Sequence, residues 1–382
     1  MSTKPVFITH TGCFLPNLPV DNEQMESLLG QVADRPSRSR RLVLRSNQIK
    51  TRYYAIDPST GQSNYTNAEL CAEAIKNALG NEVPLAAVSS LAAATSIADQ
   101  LMPGHGVMVH GLLGSPPCEV ASLGGICVSG MSAFKYAWLN VAAGLHETAV
   151  AAASEAASYS MRAANFSAEI STRVAALEAQ PELAFEKDFL RWMLSDGAGA
   201  CVLQSRQPQA LALRVEWLEL LSYAGQMPTC MYAGARKEQE GSLTGWQAVS
   251  SDTAQAESFM SVKQDVKLLN ENIVRYTVEE ALASVVCKHD LKAEDIDYFL
   301  PHYSSDFFRQ RLDAGMKKVG FVVDQERWFT NLASKGNTGS ASIFIMLDEL
   351  FRSGRLRKGE KILCYVPESG RFSVAYMLLQ VV

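Results

Sequence analysis

Short β-type apolar runs alternate with longer helical stretches along the sequence, and that rhythm leaves few folds open. Val6 to Thr9 reads as a strand, and Asn67 to Leu79 as a helix with Leu70, Cys71, Ala74, Ile75 and Ala78 on one face. A strand lies within Ala87 to Ala94, and the region after Cys127 is helical to about Leu145. Strands follow at Thr148 to Ser154, Ala198 to Leu203 and Leu211 to Leu221. The pattern then restarts, with a helix from about Phe259 to Lys288, a strand at Tyr298 to Pro301 and a helix from Phe307 to Val319. A last helix follows Gly339, and strands at Lys361 to Val366 and Phe372 to Leu379 close the chain. Strands separated by helices of this length predict an α/β protein with mainly parallel central sheets buried on both faces.

The length of 382 residues allows about two to three domains. Two halves with the same rhythm, 1–205 and 206–382, suggest an internal duplication joined near residues 205–215, after Gln204-Ser-Arg-Gln-Pro-Gln. At 47% hydrophobic and 20% charged residues, the composition excludes a disordered, collagen-like or mucin-like chain. A net charge of −5 argues against holding nucleic acid by bulk electrostatics. No apolar run approaches the ~18 residues of a membrane span. Met1-Ser-Thr-Lys-Pro-Val-Phe-Ile goes straight into a strand pattern, without the regions of a signal peptide. The eight Cys have no CxxC or metal-ligand spacing, so reduced thiols in a cytoplasm and no bound metal are expected. One dense basic stretch, Pro36 to Arg52, reads equally as a solvated surface loop or an anion-binding segment.

Three residues stand where chemistry is expected. Cys127 follows Ser122-Leu-Gly-Gly-Ile and opens a helix, where the positive end of the dipole lowers a thiol's pKa; a buried structural Cys is the alternative. His302 sits where an apolar strand ending in Pro301 gives way to a helix, at the strand end where ligands collect in α/β sheets. Asn337 lies in Ser334-Lys-Gly-Asn-Thr-Gly-Ser-Ala-Ser, whose glycines permit close backbone approach to a ligand or, equally, a capping turn.

A Cys, a His and an Asn in this order across two α/β halves resemble the thiolase-fold ketosynthases, specifically the ketoacyl synthase III branch. Gly336-Asn337-Thr338-Gly339-Ser340-Ala341-Ser342 is similar to the Gly-Asn-Thr-x-x-Ala-Ser motif of that branch. Ser195-Asp196-Gly197-Ala198-Gly199-Ala200 is similar to its Gly-Asp-Gly-Ala-Gly-Ala segment. The resemblance implies a duplicated fold, two halves with central mixed sheets in an αβαβα layering. His302-Tyr-Ser-Ser departs from the usual His-Gln-Ala-Asn, and Arg45 to Arg52 from the usual Arg-Thr-Gly-Ile-x-x-Arg. Both departures point away from a simple acetyl-CoA-using primer role. The stretch Pro36-Ser-Arg-Ser-Arg-Arg with Ile49-Lys-Thr-Arg-Tyr-Tyr-Ala, and the tail from Gly339, look like the subgroup making dialkylresorcinols and stilbene-type cyclohexanediones, which act as ketosynthase and cyclase together.

That resemblance implies an acyl-Cys127 intermediate, with His302 and Asn337 stabilising the enolate of a second thioester. Glu155, at the end of a small-residue strand, is the expected base for ring closure, with a buried, hydrogen-bonded structural carboxylate as the alternative. Arg38, Arg40, Arg41 and Arg45, with Arg309, Arg311 and Lys335, are the expected receivers of an acidic acyl carrier protein or of CoA thioesters. No redox cofactor is expected, since the GxGxxG fingerprint is absent, and a homodimer is implied by the resemblance alone. A chain-initiating synthase making a linear product is the enzymatic alternative. A silent thiolase-fold partner subunit is the non-enzymatic one.

Overall fold

Nine strands build one sheet: β1 (Phe7–Phe14), β2 (Ser90–Thr95), β3 (Glu119–Gly124), β4 (Thr148–Glu155), β5 (Gly197–Gln204), β6 (Leu213–Ser222), β7 (Tyr298–Pro301), β8 (Lys361–Glu368) and β9 (Ser373–Val381). The computed structural model describes residues 4–32, 36–37, 39–166, 189–206 and 208–382. The strand order is β7-β8-β9-β6-β1-β5-β4-β2-β3. Within it, β1-β5-β4-β2 is repeated by β6-β9-β8-β7. β5 runs antiparallel to β1 and β4, and β4 parallel to β2. β9 likewise runs antiparallel to β6 and β8, and β8 parallel to β7. The two runs meet at a short seam, Phe7 opposite Arg214 and Ile8 opposite Leu213.

The sheet is therefore mixed, where the strand–helix rhythm predicts mainly parallel pairing. Residues 369–372 alone separate β8 from β9, too few for the roughly dozen residues of a parallel crossover. Two further elements escape the rhythm, the edge strand β3 and a helix over His105–Leu113.

Five helices position the site: α1 (Arg40–Asn47), α2 (Asn67–Leu79), α3 (Cys127–Ala142), α4 (Arg309–Lys318) and α5 (Ser342–Arg352). Alternation along the strands sorts side chains into layers. On β4, Ala149, Ala151 and Ala153 face α3 and α5, while Val150 and Ala152 face α2. On β9, Ala375, Met377 and Leu379 face the same α3–α5 layer, while Val374, Tyr376 and Leu378 face the other way. There they meet Leu269, Ile273, Val278 and Leu282 from the helical stretch 266–289. The result is the αβαβα sandwich that the resemblance implies.

The middle layer is tight where it must be. A Cβ on Gly130 of α3 would lie 2.3 Å from the carbonyl oxygen of Ser340, so only glycine lets the Cys127 helix rest on the turn that follows Asn337. The helix expected over Phe259 to Lys288 begins at Val266 and contains a π-helical turn at Arg275–Glu280. The basic stretch is not a simple loop: it carries α1, which buries Val43 and Asn47.

Candidate active site

The strand ends of both halves open on one cavity of about 1080 Å³. Cys127, Glu155, His302 and Asn337, which lie far apart in sequence, all line it. Cys127 is the first residue of α3, Glu155 the last of β4, and His302 directly follows β7. The backbone N–H of His302 donates to the carbonyl of Tyr365 on β8 at 2.8 Å, which extends the parallel pairing by one residue and fixes the imidazole at the cavity wall.

Asn337 is anchored through its backbone, which accepts from Ser195 N–H at 2.8 Å and donates to Met193 O at 2.9 Å. Its Oδ1 accepts the N–H of Gly339 at 3.0 Å. Only an oxygen can accept that proton, so the amide orientation is set and the NH₂ remains as a donor.

Glu155 is bound by the loops around it. Its Oε1 accepts from Ser96 N–H (3.2 Å), Ser96 Oγ (2.7 Å), Ser340 N–H (3.1 Å) and Ser340 Oγ (2.6 Å). Burial pushes this carboxyl up from its ordinary value, and those donors pull against the shift.

A further carboxylate, Glu368, was not singled out by the sequence reading. It ends β8 and lines the same cavity. Its Oε2 accepts the N–H groups of Ile126 at 3.1 Å and Val128 at 3.0 Å, the residues on either side of Cys127. The available signal was its position just past an apolar strand, in Val366-Pro-Glu-Ser-Gly, the same strand-end argument that marked His302.

These carboxylates correct one expectation. The helix start was expected to lower the Cys127 pKa, whereas the thiol is pushed well above its usual value by burial first, then by Glu368 and Glu155. Glu368 takes two of the N–H groups whose positive field would otherwise favour a thiolate. Cys127's own N–H still faces its sulfur and opposes the shift. His302 is pushed down to about 4 by burial, so its ring is neutral at pH 7. The resting pair is a neutral thiol and a neutral imidazole rather than a thiolate–imidazolium pair.

Apolar side chains make up much of the remaining wall, with Met193, Leu194, Met231, Leu269, Ile273 and Leu312 among them. Among the described residues, none of the basic residues expected to receive a carrier lines the cavity. Arg38 lies outside the described residues. Arg40 pairs with Glu23 and stacks on Trp192, and Arg309 bonds Gln325 and Tyr303. Arg41 and Arg45 are exposed on α1, which packs against the turn 306–308 that precedes Arg309 and Arg311. Lys335 lies over the Tyr53 ring.

Residues 286–378 match the family described as 3-oxoacyl-[acyl-carrier-protein] synthase III C terminal. A β-ketoacyl-[acyl-carrier-protein] synthase III of Clostridium perfringens is 24% identical over 365 residues, covering 92% of each chain. Among solved structures, a tetronic acid condensing enzyme, AbyA1, superposes with a TM-score of 0.76 at 20% identity, over 98% of this chain and 99% of that one. OleA of Xanthomonas campestris, solved with lauric acid and lauroyl-CoA, superposes with a TM-score of 0.73 at 17% identity over the whole of both chains. At such identities the structural likeness is one of fold. The chain thus has the thiolase-like α/β fold of these structures, and its residues 286–378 are similar to the C-terminal part of 3-oxoacyl-[acyl-carrier-protein] synthase III.

Proposed function

We propose that this protein is a condensing enzyme that joins two acyl or β-ketoacyl thioesters through an acyl-Cys127 intermediate and then closes a ring, giving a cyclohexanedione-type precursor of dialkylresorcinol or stilbene-like products. The observation that carries this reading is the shared cavity, which Cys127, His302, Asn337, Glu155 and Glu368 line together with many apolar side chains. Its volume of about 1080 Å³ lies just above the ~300–1,000 Å³ range of ligand pockets, far more than an acetyl group fills.

The chemistry follows from the protonation states. A neutral Cys127 thiol attacks the first thioester as its proton passes to the neutral imidazole of His302 and on to the departing thiol. The oxyanion of that attack is met by the Cys127 N–H. In the second half-reaction the Asn337 NH₂ and a His302 ring N–H hold the enolate oxygen of the partner thioester. Fixed neutral donors in a largely apolar chamber need no reorganisation as charge develops. If the partner carries a carboxylate, loss of CO₂ generates the enolate. If it does not, or if a ring is to close, a base must remove a proton from carbon. Among the described residues, Glu155 and Glu368 are the cavity carboxylates whose charge reaches Cys127.

Delivery by an acidic carrier protein or by CoA is proposed on the exposed Arg41 and Arg45 of α1, beside the turn after His302. A homodimer is proposed on the outer edge of β3, the last strand of the sheet among the described residues; Leu101 and Met102 are exposed just before Gly104, which abuts Ser122 of β3.

Mass spectrometry of the products from a β-ketoacyl thioester paired with saturated or unsaturated acyl thioesters tests the proposal. A cyclic dione supports it. A linear β-ketoacyl thioester alone favours the chain-initiating reading, the activity named for the Clostridium perfringens relative.

A further inference from the structure

Two carboxylates reach the cavity beside Cys127, and their surroundings divide the work between them. Glu155 Oε1 gathers four donors, two from Ser96 after β2 and two from Ser340 in the turn after Asn337, and Ser96 N–H also reaches Oε2 at 3.4 Å, so both oxygens are engaged. Adding a proton to Glu155 weakens the charge-assisted bonds that hold this turn in place. Glu368 is held differently. Its two donors, Ile126 N–H and Val128 N–H, share Oε2, and they hold the group at the turn that begins with the nucleophile. Its Oε1 lies on the side of Gly370, where a Cβ would come within 3.2 Å of it. A proton arriving at Oε1 leaves both bonds at Oε2 in place.

We propose that Glu368 is the base that takes the α-proton of the second thioester when that substrate has no carboxylate to lose. This rests on the condensing reading above. The Cα–H bond breaks, the proton passes to Glu368 Oε1, and the electron pair becomes the enolate whose oxygen His302 and Asn337 hold. The enolate carbon attacks the carbonyl carbon of acyl-Cys127, and a C–C bond forms. The C–S bond then breaks, sulfur leaves as a thiolate, and it takes the proton back from Glu368. Thiol and carboxylate are both restored, with no oxidant, reductant or metal consumed. Glu155 is the positioning residue: it keeps the Asn337 turn in register with β4.

The division predicts different signatures for two isosteric variants. With the whole protein, three reactions are followed: solvent deuterium entering Cα of a β-ketoacyl pantetheine thioester, condensation of that thioester with acyl-Cys127, and condensation with a malonyl thioester. Glu368→Gln lowers deuterium entry and non-decarboxylative condensation about 100-fold more than the malonyl reaction, the scale of a lost general base. Glu155→Gln lowers both condensations alike. Equal losses in Glu368→Gln, or a selective loss in Glu155→Gln instead, overturn the assignment. A wild-type protein that condenses only malonyl thioesters also overturns it while leaving the condensing reading intact; absence of acyl-Cys127 in the wild type overturns that reading. Should Glu368→Gln fail to fold, the pH profile of deuterium entry in Glu155→Gln, which lacks the other buried carboxyl, still decides. Burial raises the Glu368 carboxyl, so the rate rises with a single ionisation above the ordinary carboxylate range, and a rate independent of pH contradicts the proposal.

Discussion

Ser340 Oγ donates to Glu155 Oε1 across 2.6 Å, and with this bond the last residue of β4 in the first half grips the turn that presents Asn337 in the second. The two residues are 185 positions apart in the chain. The site is thus completed only when both halves are folded against each other, with α3 and α5 between them.

Ser340→Ala removes one of the four donors on that oxygen and leaves a buried carboxylate less satisfied. We expect a loss of roughly 1–3 kcal/mol in folding stability, read by chemical denaturation. Condensation should fall more than acylation of Cys127, because Asn337 serves the second half-reaction. An equal fall in both would place the Ser340–Glu155 link outside the enolate site.

Gly339→Ala strikes the same contact from the other side. Gly339 has φ +52°, and a Cβ there would stand 3.0 Å from Glu155 Oε1. The left-handed backbone alone costs a non-glycine residue about 1–3 kcal/mol. The variant should melt earlier than the wild type and condense more slowly; full stability and full turnover would contradict the crowding described here.

His302 links the site to pH-dependent stability. Its folded pKa is about 4, below the ordinary 6.5. As pH falls from 6.5 towards 4, the unfolded chain takes up a proton that the folded protein refuses, so stability is present above that window and lost through it. Carboxyl groups with raised pKa values, such as Asp196 at about 6, act in the opposite sense. The difference between wild-type and His302→Gln denaturation curves isolates the imidazole, and it should shrink as pH drops from 6.5 to 4. A difference that does not change with pH would mean that the imidazole titrates alike in both states.

Much of the fold could be read from side-chain periodicity, because its strongest elements carry local signals. The helix Asn67–Leu79 begins at a capping box between Thr66 and Glu69 and presents one apolar face, so its limits agree with the sequence reading. β3 was not legible. It is an edge strand whose residues are at least partly exposed, and Glu119-Val-Ala-Ser-Leu-Gly alternates too weakly to separate it from a loop. The mixed pairing was hidden from the spacing and came only with the resemblance, since helix-sized spacers imply parallel neighbours and the reversal at β9 depends on a four-residue turn over 369–372. Cys127, His302, Asn337 and Glu155 were each marked by small residues or strand ends, and all line the cavity. Glu368 was missed because its meaning comes from contact with Ile126, 242 residues away. The raised thiol pKa was hidden for the same reason.

Edge strand β3 makes a prediction about assembly. Leu101 and Met102 are 75% and 85% exposed just before Gly104, which abuts Ser122 of this strand, an arrangement suited to burial by a second copy. Leu101→Asp combined with Met102→Asp should halve the mass seen in sedimentation. A wild-type protein that sediments as a monomer at all concentrations would contradict the proposed dimer.

Intact-mass spectrometry after incubation with an acyl thioester reaches the central claim most directly. The wild-type protein should gain the mass of one acyl group, mapped by peptide digestion to Cys127, and Cys127→Ala should gain none and make no product. An unmodified wild type, or a variant still acylated at another of the seven remaining cysteines, would contradict an acyl-Cys127 mechanism.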